Sequence, residues 1–437
     1  MVLGLGAVAA HALDADRILV QNVGDLAIKP QFGQTTLYTD NIFYGNDSVF
    51  LSGGGVTNIP IRPKEDDLVL TVSPGVKFQY GTEAANLVTL EYGFDQIFYT
   101  GHSDNDTQQH RIDLTSRYEF GKFRLTGRDL VAFLSSPLGG GAYTDVNRAG
   151  QRNFILDRRQ TTLDHQLLFD YSDKTDAYGQ FHFQETDFDN TTTLLDINTL
   201  RGSFGSTYKY SELLGIFAEG FYGQTAVAPN LGNFSGAWSQ FYGGFVGVRG
   251  ELTPKIHGTV KLGYEQREFP SSDAGTSSPA FDISLDYALA AKTSIALSYS
   301  RRTSSSVQFA NQSYLFDSVS LSVNQGLGTS GKWNTFGSVR YDGANYDELP
   351  AIGQITTANS TYYPERQDMT LSFALGLVYQ PQPWCLITLG YEFEHFDTDS
   401  VSYLIDKTTL LPDFSREYPY LVDYDAHRIF LKFSFGY

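Results

Sequence analysis

The chain of 437 residues carries 31 Lys+Arg against 49 Asp+Glu, a net charge of −18, with 28 Tyr, 32 Phe and 42 Gly beside one Cys and two Met. That balance suits half-buried strands better than a helical core, and the acid surplus excludes a general nucleic-acid binder, which needs Lys and Arg in excess. No run of 18 apolar residues is present to form a spanning helix, and the lone Cys385 excludes internal disulfides and a Cys-based zinc site.

The first segment, Met1 to Ala12, reads MVLGLGAVAAHA and ends in Ala10-His11-Ala12. An apolar stretch closed by an A-x-A pattern marks a cleaved export signal, although no Lys or Arg precedes it. The bland alternative is a frayed apolar N-terminus. Residues 13–25 then form a periplasmic N-terminal segment, and 26–437 a single domain.

From residue 26 onward apolar side chains recur at every second position. Leu68, Leu70, Val72, Val76, Phe78 and Tyr80 share one face, with Pro74 interrupting, and Val88, Leu90, Tyr92, Phe94 and Phe98 follow. Later rows are Ile256, Val260, Leu262, Tyr264; then Phe281, Ile283, Leu285, Tyr287, Leu289; then Met369, Leu371, Phe373, Leu375, Leu377, Tyr379. The last segment is the clearest: Ile429, Leu431, Phe433, Phe435 and Tyr437 alternate with Phe430, Lys432, Ser434 and Gly436. Period-two alternation of this length predicts strands with one face toward lipid and one toward a lumen.

Eighteen strands are predicted, near 26–39, 67–80, 87–100, 108–120, 122–134, 158–172, 176–187, 196–210, 213–226, 238–251, 255–269, 280–290, 292–304, 313–325, 332–346, 367–380, 384–397 and 424–437. An even count returns both termini to one side. Links after even-numbered strands are short: Gly121, Asp173-Lys174-Thr175, Ser211-Glu212, Leu252-Thr253-Pro254, Ala291 and Pro381-Gln382-Pro383. Links after odd-numbered strands are mostly longer and polar: 40–66, 135–157, 188–195, 227–237, 270–279, 347–366 and 398–423. Short turns opposite long loops along a whole chain predict an all-β fold, an 18-stranded antiparallel transmembrane barrel of the outer membrane.

Alternation also assigns the inward residues. It directs about 20 of the 31 basic and about 16 of the 49 acidic residues into the lumen, a mild basic surplus, and leaves the acid excess to the loops. The predicted lumen path runs along Arg111, Arg117, Lys122, Arg124 and Arg128, and along Arg249, Lys255, Lys261 and Arg267 with Glu251 and Glu265 interleaved. With Phe120-Gly121 as the turn, Glu119 faces Lys122, Arg117 faces Arg124 and Asp113 faces Arg128. Two arginines opposite each other are destabilising unless a third group neutralises them: a permeating anion, or a carboxylate such as Glu91 or Asp95. Inward aromatics Tyr99, Phe217, Phe221, Phe241, Phe245 and Phe336 either stack on sugar rings or fill space.

Two stretches, Leu26 to Tyr44 (LAIKPQFGQTTLYTDNIFY) and Asp67 to Tyr80 (DLVLTVSPGVKFQY), resemble the beta-barrel porin type 2 family of outer-membrane proteins. Strand rhythm is compatible with the resemblance over almost the whole chain, while the wording is specific in the first hundred residues. The resemblance implies an outer-membrane channel and an association with exopolysaccharide export. It brings no catalytic residues. Phe433, Phe435 and Tyr437 resemble the terminal signal that the barrel assembly machinery reads.

Other chemistry finds little support. No two of the eight His lie four residues apart, so the helical zinc-protease motif is absent. His165 sits on an outward row between Leu163 and Leu167, with no serine nucleophile identifiable beside it in the sequence. Asp104-Asn105-Asp106, Asp187-Phe188-Asp189-Asn190 and Asp397-Thr398-Asp399 lack EF-hand spacing and read as solvated loops. Glycine triplets 53–55 and 139–141 lie in long loops and are not phosphate cradles. The expectation is therefore a porin-like channel without enzyme activity, metal or cofactor, both termini periplasmic. Its expected partners are outer-membrane lipid, lipopolysaccharide and the assembly machinery, with a polysaccharide export system implied by the resemblance. The leading reading is a passive conduit for a secreted polymer with a weak anion preference. The alternatives are a general diffusion porin for small solutes and a non-conducting structural or adhesive barrel.

Overall fold

A computed structural model describes residues 20–44, 64–82, 86–136, 156–189, 195–229, 237–270, 275–306, 312–346, 361–362, 365–399, 401–404, 418–419 and 423–436. The expected export signal at Met1–Ala12, Tyr437 and the greater part of loops 40–66 and 135–157 lie outside these residues. The chain forms a closed antiparallel barrel of 18 strands. In order they are β1 Leu26–Thr39, β2 Asp67–Gly81, β3 Leu87–Tyr99, β4 Thr107–Phe120, β5 Phe123–Ser136, β6 Leu156–Ser172, β7 Thr175–Phe188, β8 Leu195–Lys209 and β9 Leu214–Pro229. The second half comprises β10 Ala237–Thr253, β11 Ile256–Glu268, β12 Gly275–Ala290, β13 Thr293–Ser305, β14 Ser313–Leu327, β15 Trp333–Tyr346, β16 Arg366–Gln382, β17 Cys385–Thr398 and β18 Tyr424–Phe435.

Each strand pairs with its sequence neighbours. The ring closes where β1 meets β18, from Phe32 opposite Phe435 to Thr39 opposite Arg428. Below that seam a short strand, Gln21–Val23, folds back onto Leu26–Ile28. At the long-link end Thr361–Tyr362, Val401–Leu404 and Tyr418–Pro419 form a separate small ribbon.

The alternation read from the sequence fixes the two faces of the wall. Outward rows expose large apolar side chains, among them Phe204 at 68%, Val246 at 61%, Leu389 at 53% and Ile429 at 52%. Such an exterior is unstable in water and stable in hydrocarbon. Aromatic rings gather at the short-turn end: Phe120 and Phe123 at 5.4 Å, Phe123 and Phe169 at 4.8 Å, Trp333 and Tyr379 at 4.2 Å. Phe435 joins this girdle, 6.3 Å from both Phe32 and Trp384, and Phe433 shares its outward row. Toward the other end Tyr222, Trp238 and Tyr242 form a counterpart. There the Tyr242 hydroxyl donates to Glu268 at 2.8 Å and the Tyr222 hydroxyl to Gln240 at 3.4 Å.

The inward face shows why the chain carries so many glycines. Phe217, Phe221, Phe241, Phe245, Phe336 and Phe430 lie directly opposite Gly247, Gly243, Gly223, Gly263, Gly376 and Gly390 on the next strand. A Cβ at any of these glycines would stand within 2.8 Å of the facing ring. The rings therefore lie flat on backbone that has no side chain, which replaces the packing an interior glycine lacks. Between the two readings of the inward aromatics, the structure selects packing against the wall for these phenylalanines.

Candidate functional site: the lumen

The lumen is built from alternate residues of all eighteen strands, and one sector holds four half-exposed arginines. Gly121, at φ +62°, takes the first central position of the β4–β5 turn, so Gly121-Lys122 is the turn and Phe120 faces Phe123. A two-residue turn of this kind needs a residue tolerant of positive φ at its first central position. The turn lies one residue further along than expected, which moves every partner by two residues, and the pairing is corrected: Glu119 faces Arg124, Arg117 faces Thr126, and Arg128 faces Thr115.

The like-charge conflict between Arg117 and Arg124 consequently takes another form. Both arginines reach the same carboxylate oxygen, Glu119 Oε1, Arg117 Nη2 at 2.6 Å and Arg124 Nε at 2.9 Å. The neutralising group is thus Glu119 on the hairpin itself, in place of Glu91 or Asp95. Glu91 instead receives Arg111 Nη2 at 3.2 Å, and Asp113 takes Arg128 in a bidentate pair with a 2.6 Å contact. The four arginines keep 44–57% of their side-chain surface exposed, so they face the open bore.

The next sector, from β7 to β12, is packed. Arg249 donates to Asp176 at 3.2 Å and to the Thr207 hydroxyl, its guanidinium 5.1 Å from the Tyr178 ring centre. Arg201 donates to Glu219 at 3.1 Å and lies 4.3 Å over Phe221. Lys261 stands 3.6 Å from Asp282. Lys122 and Lys255 depart from the expectation, because both fall in turns, where they reach the Tyr171 and Leu289 carbonyls. Their loss from the wall removes two cations from the basic surplus expected in the lumen.

Arg267 marks a feature that pairwise reading of the strands misses. The register between β12 and β13 ends at Phe281 opposite Arg301, while β13 continues along β14 to Ser305 opposite Ser313. Above that point the ends of β13 and β14 overlie the inner face of β11 and β12. Arg267 on β11 donates to Ser239 Oγ at 2.8 Å, Ser305 Oγ at 3.0 Å and Thr303 Oγ1 at 3.1 Å, stacks on Phe241 at 4.5 Å, and is 3% exposed. A buried guanidinium is tolerable only with such partners. This inner shelf narrows the bore and roofs a recess of about 290 Å³ whose lining includes Arg201, Phe245, Lys261, Asp282 and Arg302. Nothing in the period-two pattern foretells it, since the contact joins strands that are not neighbours.

At the long-link end His102 ties two connections together. Its Nε2 is 2.7 Å from Glu65 and its Nδ1 3.0 Å from Asp67, and the Asp67 Oδ1 also receives the Thr100 hydroxyl and the Gly101 N–H, each at 2.8 Å. The hydrogen bond to Asp67, with the one to Glu65, raises the His102 pKa above its ordinary 6.5.

The structure also supplies the serine not identifiable beside His165 in the sequence. Ser116 and His165 both lie opposite Gly127 on the outward face, and His165 Nε2 is 2.8 Å from Asp129. The backbone N–H groups around them belong to the β4–β5–β6 ladder, which leaves no oxyanion donors for acyl transfer. Among the described residues no group of three or more His, Cys, Asp or Glu is placed to hold a metal ion.

No family model matches the chain, and no curated protein is similar to it. Among solved structures it is similar to Pseudomonas aeruginosa OpdQ, with 11% identity over 95% of this chain and 100% of that one and a TM-score of 0.44. The outer membrane protein OpdK from the same organism gives 11% identity, 94% and 99% coverage and 0.44. The ferric-catecholate import receptor Fiu from Escherichia coli K12 gives 9% identity, 94% and 82% coverage and 0.41.

Proposed function

We propose that the chain is an outer-membrane channel through which small hydrophilic solutes diffuse passively. The observation that carries this reading is the half-exposed arginine wall of β4 and β5, each of whose four arginines is held by a carboxylate on that hairpin or on the adjoining β3. Charges of both signs, paired and wetted, line a path for water and polar solutes while creating little net field along it. The apolar exterior between two aromatic girdles supports placement in a membrane, and a barrel of this size leaves an aqueous bore.

The same geometry favours the small-solute alternative over a conduit for a secreted polymer. A polymer needs an uninterrupted bore, whereas the β13–β14 shelf projects into this one. The anion preference also weakens once Glu119 is seen to hold both Arg117 and Arg124. A planar-bilayer measurement under a tenfold salt gradient tests the reading. An open pore with a reversal potential close to zero is expected, together with swelling of proteoliposomes in small sugars that falls off as the sugar lengthens. A closed barrel, or a pore strongly selective for one sign, overturns it.

A further inference from the structure

The outward wall carries a polar group that neither the lumen nor an aromatic girdle explains. Ser116, Asp129 and His165 belong to the outward rows of β4, β5 and β6, and Gly127 lies directly opposite both Ser116 and His165. His165 uses Nε2 on Asp129. Its ring lies over Gly127, where a Cβ would stand 2.5 Å from His165 Nδ1 and 3.0 Å from Ser116 Oγ, so the glycine makes room for the imidazole. Asp129 Oδ2, His165 Nδ1 and the Ser116 hydroxyl have no hydrogen-bond partner among the described residues.

The height of the group matters. Asp129 stands six residues above Phe123 of the lower girdle and four below Phe133. At about 3.3 Å per residue and a tilt near 40°, that is roughly 15 Å up a wall whose apolar band is about 25 Å tall. Leu114, Leu125, Val131, Leu163 and Leu167 surround it on the same face. Lipid headgroups and water do not reach this depth, and acyl chains offer neither donors nor acceptors. Ester carbonyls also lie too far away for the trio to act on lipid.

A second protein surface does offer partners. We infer that the β4–β6 sector is the face through which two copies of this chain meet in the membrane, the Ser116, Asp129 and His165 side chains of one copy lying against those of the other. The choice of a second copy rests on complementarity. The patch presents a carboxylate, an imidazole and a hydroxyl side by side, donors together with acceptors, so it can satisfy itself across a two-fold axis as an isologous contact requires. The inference rests on the membrane reading above.

The test is cross-linking in native membranes with a flexible bis-maleimide. The probe is Leu125→Cys in a chain whose own thiol is removed by Cys385→Ser. A covalent dimer is expected, reduced at least tenfold when Asp129→Leu and His165→Leu are added, with the barrel still folded by its heat-modifiable gel mobility. Ser116→Leu provides a second variant, also expected to lose dimer, should the double replacement fail to insert. A membrane-embedded barrel that gives no dimer, or the same dimer in the leucine variants, overturns the contact while leaving the channel reading intact. A chain absent from the membrane fraction overturns both.

Discussion

Glu119 holds two arginines with one carboxylate oxygen, and the charge the bore presents depends on it. Glu119→Gln keeps the shape and removes the charge, which leaves Arg117 and Arg124 repelling each other and facing the bore. The expected outcome is a roughly twofold rise in the ratio of anion to cation permeability, smaller at 1 M salt, where the screening length falls to about 3 Å. Reversal potentials of wild type and variant decide it. His102 makes a prediction in pH. Its folded pKa is raised, so its contribution to stability is fully present below the ordinary 6.5 and is lost as pH rises through the raised value. Amide exchange in residues 100–106 should be slow in mild acid and quicken through that window. In His102→Gln it should be fast throughout, without the step.

Among the elements, strands were legible and their register was not. Rows such as Ile429, Leu431, Phe433 and Phe435 repeat often enough that strand limits fall within a few residues of the structure. The β4–β5 pairing slipped because register depends on which residue of Phe120-Gly121-Lys122 takes positive φ, and apolar spacing is silent on that. The shelf, and the meeting of Ser116 with His165, require three strands to be aligned at once. The glycine–aromatic pairs also emerge only when two strands are set side by side. At Gly390 the facing Phe430 ring supplies all three of the nearest atoms. Gly390→Ala should therefore lift that ring off the wall and into the bore, lowering single-channel conductance and costing about 1–3 kcal/mol of stability. Unchanged conductance in the folded variant would show that the ring does not border the ion path.

For the whole molecule, composition and link lengths sufficed to identify a single barrel, because lipid imposes closure and alternation on any chain that crosses it with strands. Cargo is a different matter. It depends on what narrows the lumen, and here that is an inward fold of β13 and β14 held by the hydroxyls of Ser239, Thr303 and Ser305 on one arginine. Every strand of this chain carries serine or threonine, so nothing in their sequence positions singles these out.

The seam between β1 and β18 reaches only from Phe32 to Thr39 on its first strand, and the lower part of β1 leans on Gln21–Val23 instead. It joins segments nearly a full chain length apart, so its loop-closure entropy is the largest of any pairing in the ring. Assembly would then run as a zipper with this junction last to engage, and force or denaturant would find it first. The hairpin at residues 21–28 acts as a clasp on that zipper: shortening it should leave the wall intact but make the finished cylinder slower to shut.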